Sequence, residues 1–153
     1  MIKAGSIIMI LLIASQLSYS QVPTPSENLV WYTSLQQAHE LSQQTKKPIF
    51  AFFTGSDWCG WCKKFKTEVL TDASVQEALK NYVFFIVNAD ENRSIVSKFG
   101  VIGLPNFFVI DYNENRLKQK AGFMSSEEFI SWVNSNLDKR IIDGIRRPID
   151  RRP

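Results

Sequence analysis

Three short runs of nearly unbroken hydrophobicity constrain this chain more than any other feature. They are Ile49 to Thr54 (IFAFFT), Tyr82 to Asn88 (YVFFIVN) and Asn106 to Asp111 (NFFVID). Each has the length of a strand, and none alternates apolar with polar residues. A strand with one face in water alternates, whereas a strand covered on both faces does not. The runs therefore predict the inner strands of a sheet packed between helices, with Phe50, Phe52, Phe84, Phe85, Phe107 and Phe108 in the core. Eleven Phe and four Trp in 153 residues can fill one ordinary domain without staples. A hydrophobic share of 44% and a charged share of 22% exclude a disordered or collagen-like chain.

The segments between the runs read as helices. Ser34 to Lys47 carries Leu35, Ala38 and Leu41 at helical spacing, with Ser34 as N-cap and Pro48 as the stop. Gly55-Ser56-Asp57 is a turn. From Trp58 or Cys59 to about Leu70 the pattern is helical, with Phe65 and Val69 four apart. A short helix is expected from about Ser74 to Asn81, with Val75, Ala78 and Leu79 inward. Another is expected from Asn92 to Phe99, stopped by Gly100. Tyr112 to Asn115 is a turn, and Arg116 to Ala121 alternates as an edge strand does. Ser125 and Glu128 form a capping box that opens a last helix to about Leu137, carrying Phe129, Ile130, Trp132 and Val133. The order is α, β, α, α, β, α, β, β, α. The strand–helix–strand crossover predicts a parallel pair, and the four-residue turn predicts an antiparallel one. The fold class is α/β, with a mixed central β-sheet flanked by helices on both faces.

The ends of the chain read differently. Lys3 precedes an apolar run of eight residues, Ile7 to Ala14, followed by Ser18-Tyr19-Ser20. This is the pattern of a signal peptide over residues 1–20, with Gln21 as the new N-terminus. The run is short for a membrane span, which needs about 20 apolar residues. An uncleaved anchor is the alternative. Residues 21–28 form an extended leader, 29–137 the domain, and 138–153 a basic, flexible tail. That tail holds six basic and three acidic residues, and residues 21–137 hold 11 basic and 12 acidic. The body is therefore at −1, and the formal charge of +3 comes from the ends. No basic face for nucleic acid is evident.

The chemistry concentrates at Trp58-Cys59-Gly60-Trp61-Cys62-Lys63, where a buried strand passes into a helix. Cys59 falls at the helix N-terminus, where unpaired N–H groups and the helix dipole favour a thiolate. Cys62 lies one turn on, nearly above Cys59, within the reach of a disulfide and closer to the core. These positions make Cys59 the nucleophile and Cys62 the resolving thiol. Gly60 admits a partner chain, and Trp58 supplies a flat apolar wall. Lys63, Lys64 and Lys66 add positive charge that Asp57 opposes. With only two cysteines, a monomer can form only the Cys59–Cys62 disulfide.

Phe53 to Lys64 (FTGSDWCGWCKK) resembles the thioredoxin-like superfamily over about residues 29–137. It is similar to secreted bacterial thioredoxin-like proteins and to the C-terminal domain of the thiol:disulfide interchange transporters. Gly103-Leu104-Pro105 before the third strand matches the second mark of the family. The resemblance implies a thioredoxin fold, a cis Pro105, and a Leu104 backbone that pairs with a bound substrate strand beside Trp58, Gly60 and Trp61. Two departures stand out. Thioredoxins proper carry a buried Asp six residues before the first Cys, and Phe53 stands there, so the proton of Cys62 must go to water or to another carboxylate, with Glu68 and Asp57 as the candidates. They also carry Gly-Pro between the cysteines, where this chain has Gly60-Trp61.

The expected function is thiol:disulfide exchange outside the cytoplasm, in the periplasm or secreted, more as reductant or interchange protein than as oxidant. Its partners would be protein disulfides or a redox protein, with a membrane electron donor as the source of electrons. No cofactor is required, since electrons pass by thiol exchange. No stable membrane insertion is expected after signal cleavage, and the chain is read as a monomer. The competing reading is a non-catalytic binding module with a structural disulfide. A zinc site would need ligands beyond the two cysteines, and the lone His39 reads as a surface or satisfied histidine. Haem attachment would need His where Lys63 stands.

Overall fold

The computed structural model describes residues 29–135. The expected signal peptide, leader and basic tail lie outside the described residues. The order of elements is β1 (Trp31–Tyr32), α1 (Leu35–Thr45), β2 (Ile49–Thr54), α2 (Gly60–Lys64) running on into a π-helical turn (Phe65–Val69), α3 (Ala73–Leu79), β3 (Val83–Asn88), α4 (Arg93–Phe99), β4 (Asn106–Ile110), β5 (Arg116–Ala121) and α5 (Ser126–Asn134). The strands form one sheet in the order β1-β3-β2-β4-β5. β3 runs parallel to both β1 and β2, while β4 is antiparallel to β2 and β5. This is the mixed sheet of a thioredoxin fold.

The three apolar runs are the three central strands. All six residues of β2 and all five of β4 are buried. Alternate side chains of β2 go to opposite faces. Phe50 and Phe52 join Phe65, Val69, Val75, Leu79, Phe107, Phe129 and both cysteines on one face. Ile49, Ala51 and Phe53 join Ala38, Phe85, Phe99 and Phe108 on the other. Phe107 is the hub of the first face. Its ring lies 4.5 Å from Phe65, 5.3 Å from Phe52 and 6.1 Å from Phe50, centroid to centroid.

Local signals set the helix ends. The Ser34 hydroxyl accepts from the Gln37 N–H, and α1 ends at Lys46, whose φ is 57°. The Ser42 hydroxyl takes the Lys47 carbonyl, so the chain leaves the helix just before Pro48. Gly100 ends α4 in the left-handed region, and Ser125 with Glu128 completes the capping box of α5. Two elements differ from the sequence expectation. β1 has two residues, too few for periodicity, and exists only because Trp31 and Tyr32 pair with Phe84 and Phe85. The π-helical turn, marked by the Leu70 N–H to Phe65 carbonyl bond of 3.0 Å, has no pattern of its own. The Thr67 hydroxyl bonds the Lys63 carbonyl there, which competes with the regular ladder.

Candidate active site

The site is built where β2 ends. Thr54 hands the chain to Gly55, Ser56, Asp57 and Trp58, and Cys59 caps α2. Cys59 and Cys62 form a disulfide with their Cα atoms 5.3 Å apart. Both are nearly buried, Cys59 at 5% exposed and Cys62 at 1%. The residue at the helix start is the more accessible of the two. The Gly60 N–H bonds the Trp58 carbonyl at 3.1 Å, and the Lys63 N–H bonds the Cys59 carbonyl at 3.1 Å. Between them, the N–H groups of Trp61 and Cys62 have no backbone acceptor among the described residues. These are the donors that stabilise an anion at a helix start.

Gly55 is demanded by packing. A Cβ on it would lie 2.8 Å from the Trp58 ring and 2.9 Å from Cys59 Cβ. Gly60, by contrast, faces open space, as close approach of a partner chain requires. Trp58 and Trp61 are 66% and 60% exposed, an unusual display for two large rings. The Trp61 ring rests against Phe123 at 5.3 Å. Asn106 pairs with Phe53 across β2 and β4, so Leu104 and Pro105 lie at the same sheet end as the cysteines. The Leu104–Pro105 bond is cis. Pro105 is buried, and its carbonyl accepts from the Gly122 N–H at 2.8 Å. Leu104 is half-buried, and its N–H and carbonyl make no backbone bond among the described residues.

Sequence reading missed Asp90. This residue follows β3, yet its Oδ2 accepts from the Trp58 indole N–H at 2.8 Å and the Ser56 N–H at 2.9 Å. The Ser56 hydroxyl and N–H, then the Trp58 indole, hold its carboxyl below the ordinary carboxylate range. Asn88 braces the same loop by bonding the Ser56 hydroxyl, Glu91 and the Asp90 N–H. The only hint in the sequence is a polar Asn-Ala-Asp-Glu-Asn stretch straight after a buried strand.

Two of the lysines that follow the cysteines pair with acids. Lys63 lies 3.8 Å from Asp57, whose side chain is fully exposed, and Lys64 pairs with Glu68 at 2.9 Å. Lys66 is half-buried, and desolvation lowers its pKa against the opposing pull of Asp57. Phe53 is fully buried, 5.1 Å from the Phe99 ring and 5.3 Å from the Phe108 ring, so no proton acceptor occupies that position. Among the described residues, no three His, Cys, Asp or Glu gather as metal ligands do, and no helix is long and apolar enough to cross a membrane.

Comparison with known proteins agrees with this geometry. A thioredoxin-like domain family matches residues 35–136. A thiol:disulfide interchange protein DsbD of Haemophilus influenzae (strain PittGG) is 32% identical over 88 residues, covering 54% of this chain and 15% of that protein. The chain therefore spans a small part of the curated relative. The reduced C-terminal domain of Neisseria meningitidis DsbD superposes with a TM-score of 0.56 at 26% identity, covering 67% of this chain and 93% of that domain. A DsbH oxidoreductase shares the fold at a TM-score of 0.61 and 23% identity, covering 88% of this chain and 97% of that one. With the strand order, the cis Leu104–Pro105 bond and the Cys59–Cys62 disulfide at a helix start, the match over residues 35–136 makes this chain a member of the thioredoxin-like domain family.

Proposed function

We propose that this protein is an exported thiol:disulfide oxidoreductase that exchanges disulfides with protein substrates through Cys59 and Cys62. One observation carries the reading: the Cys59–Cys62 disulfide sits at a helix start, at the same sheet end as the Leu104 backbone, whose N–H and carbonyl make no backbone bond among the described residues. In the reducing direction the Cys59 thiolate attacks a substrate disulfide. A Cys59–substrate bond forms and one substrate thiolate leaves. The Cys62 thiolate then attacks Cys59 Sγ, which restores the Cys59–Cys62 disulfide and releases the second substrate thiolate. Two electrons pass to the substrate, and its thiolates take up two protons. The Leu104 N–H and carbonyl pair with the backbone of an extended substrate segment, and Trp58, Gly60, Trp61 and Pro105 shape its seat. With Phe53 in place of an acid, the proton of Cys62 goes to water.

Export to the periplasm or beyond, through the peptide over residues 1–20, places the pair in an oxidising compartment. A reductant there needs an electron donor, and a membrane protein that carries electrons outward is the natural one. The preference for a reductant or interchange role over an oxidant rests on the likeness to the DsbD C-terminal domain.

The deciding measurement is the Cys59–Cys62 redox potential in a glutathione titration, together with trapping by Cys62→Ser. A potential near about −270 mV with accumulated mixed disulfides is the expected result. A potential near about −120 mV would instead make the protein an oxidant. A disulfide that no cellular donor reduces, with no mixed disulfides, would leave a binding module. That second reading draws on the two exposed tryptophans, which would then serve as a docking face.

A further inference from the structure

We propose that Lys66 is a positioning residue for the exchange reaction: its ammonium, without a counter-ion in the oxidised protein, stabilises the Cys62 thiolate once the disulfide is opened. This deepens the function proposed above and rests on it.

Geometry places the charge. Lys66 follows Cys62 by four residues on one continuous helical stretch, so the two side chains share a face. A long side chain on a helix leans back over the turn before its own Cα, which for Lys66 is the turn of Cys62 and Lys63. The Lys66 ammonium stands 5.9 Å from the centroid of the Phe52 ring. It also lines a groove with Thr54, Gly55, Asp57 and Asn88, around the loop that leads into Cys59. Phe50 and Phe52 belong to the cluster that holds both cysteines, whereas Phe53 packs on the opposite face of the sheet. β2 thus gives the cysteine face two apolar rings, and the charge standing over Phe52 is Lys66.

That charge is uncompensated. Among the described residues, Lys63 pairs with Asp57 and Lys64 with Glu68, while the Lys66 ammonium makes no ion pair and no hydrogen bond. Lys66 is half-buried, and burial lowers its pKa against the pull of Asp57. An anion one turn away opposes that lowering, and by linkage the ammonium favours the anion. The disulfide carries no such anion. In the mixed disulfide, Cys62 is released as a thiol that must lose its proton to attack Cys59 Sγ. Cys62 is only 1% exposed, and burial by itself disfavours a thiolate. The proton leaves to water, and Lys66 holds the charge that stays behind.

The other titratable groups nearby have their own partners or lie in water. Asp57 is fully exposed, where solvent screens it. Asp90 accepts from Ser56 and Trp58, and Glu91 accepts from Asn88. Tyr82, in the cysteine cluster, donates its hydroxyl to the Val133 carbonyl, and burial keeps it protonated.

The experiment uses the full chain, isotope-labelled at the cysteine Cβ atoms and reduced with a phosphine. NMR follows both thiols across pH. Lys66→Met keeps the apolar stem over Phe52 and removes the charge. It should raise the Cys62 pKa by about one pH unit. Lys66→Arg keeps the charge and should titrate as the unsubstituted chain does, which a role for the stem alone would not require. Lys64→Gln removes a charge already paired with Glu68 and should leave Cys62 where it was. A second readout is single-turnover reaction with one equivalent of an aromatic disulfide whose thiolate is coloured. The first release reports Cys59 and the second reports Cys62. Near neutral pH, Lys66→Met should slow the second release about 3-fold, since less thiolate is present but each is more nucleophilic. An unchanged Cys62 titration in Lys66→Met overturns the proposal, as does an equal change in Lys64→Gln or a loss of the effect in Lys66→Arg. Absence of any second release in the unsubstituted chain would instead overturn the exchange reading, and the titration still decides the role of Lys66.

Discussion

The two ends of β2 handle their polar groups in opposite ways. At the Thr54 end, Asp90 accepts from Trp58 and Ser56, Asn88 braces the same loop, and Gly55 leaves no room for a side chain. The Ser56 N–H and the Trp58 indole N–H are both taken by the Asp90 carboxylate. At the Ile49 end, His39 Nδ1 is buried with no hydrogen-bond partner among the described residues. The closed network suits chemistry that needs Cys59 held in place, since small misplacements of reacting groups are costly. The other end leaves a buried polar atom unsatisfied, which costs stability. One sheet thus carries a braced end and an unsatisfied end.

Crowding the braced end should have the largest effect. Gly55→Ala pushes a methyl into Trp58 and Cys59 and should destabilise the oxidised protein by about 1–3 kcal/mol. Thermal unfolding would show it as a fall in Tm of several degrees. Gly60→Ala, whose added methyl meets open space, should leave Tm unchanged. Equal tolerance of both would remove the idea that this end is closed by packing.

The Ile49 end should respond with the opposite sign. His39→Leu deletes the orphaned nitrogen and should raise stability by about 1 kcal/mol, the cost of an unsatisfied buried polar group. Urea unfolding measures it. A loss of stability would mean that the contact of His39 Nε2 with Glu114, at 3.3 Å, outweighs the orphan.

Asp90→Asn keeps the size of the side chain and removes its charge. It should loosen Trp58 and change the alkylation rate of reduced Cys59 a few-fold, with a matching change in indole fluorescence. Asp90→Ala should do more. An unchanged rate in both variants would reduce Asp90 to a bystander.

The smallest effect is on pH. The folded Asp90 carboxyl is held below its ordinary range by Ser56 and Trp58. Its contribution is therefore full above the ordinary carboxylate pKa and fades as pH falls through the lowered one. Trp58 fluorescence should follow that step at acid pH and lose it in Asp90→Asn. A step that persists in the variant would belong to another group.

Much of this molecule was legible in its sequence because the signals are local. IFAFFT and NFFVID are apolar at every position that matters and proved buried along β2 and β4. Ser34, Gly100 and the Ser125–Glu128 pair act on their own helix ends, so neighbours in sequence sufficed to read them. The cysteine spacing and the Leu104–Pro105 step were likewise local. Asp90 was not legible, because its partner Trp58 lies 32 residues away and joins it only through the β2–β3 pairing. β1 escaped for the same reason, since two residues become a strand only beside β3.

By itself the sequence determined the central strands, most of the helices, and the two thiols that form the disulfide. These depend on periodicity, capping and spacing, which act over a few residues. Only the tertiary structure decided which carboxylate holds Trp58, that Gly55 must lack a Cβ, and that His39 Nδ1 is buried with no partner among the described residues. Those facts depend on which distant segments meet, and the hydrogen bonds at stake are made or left open only when the sheet brings its ends together.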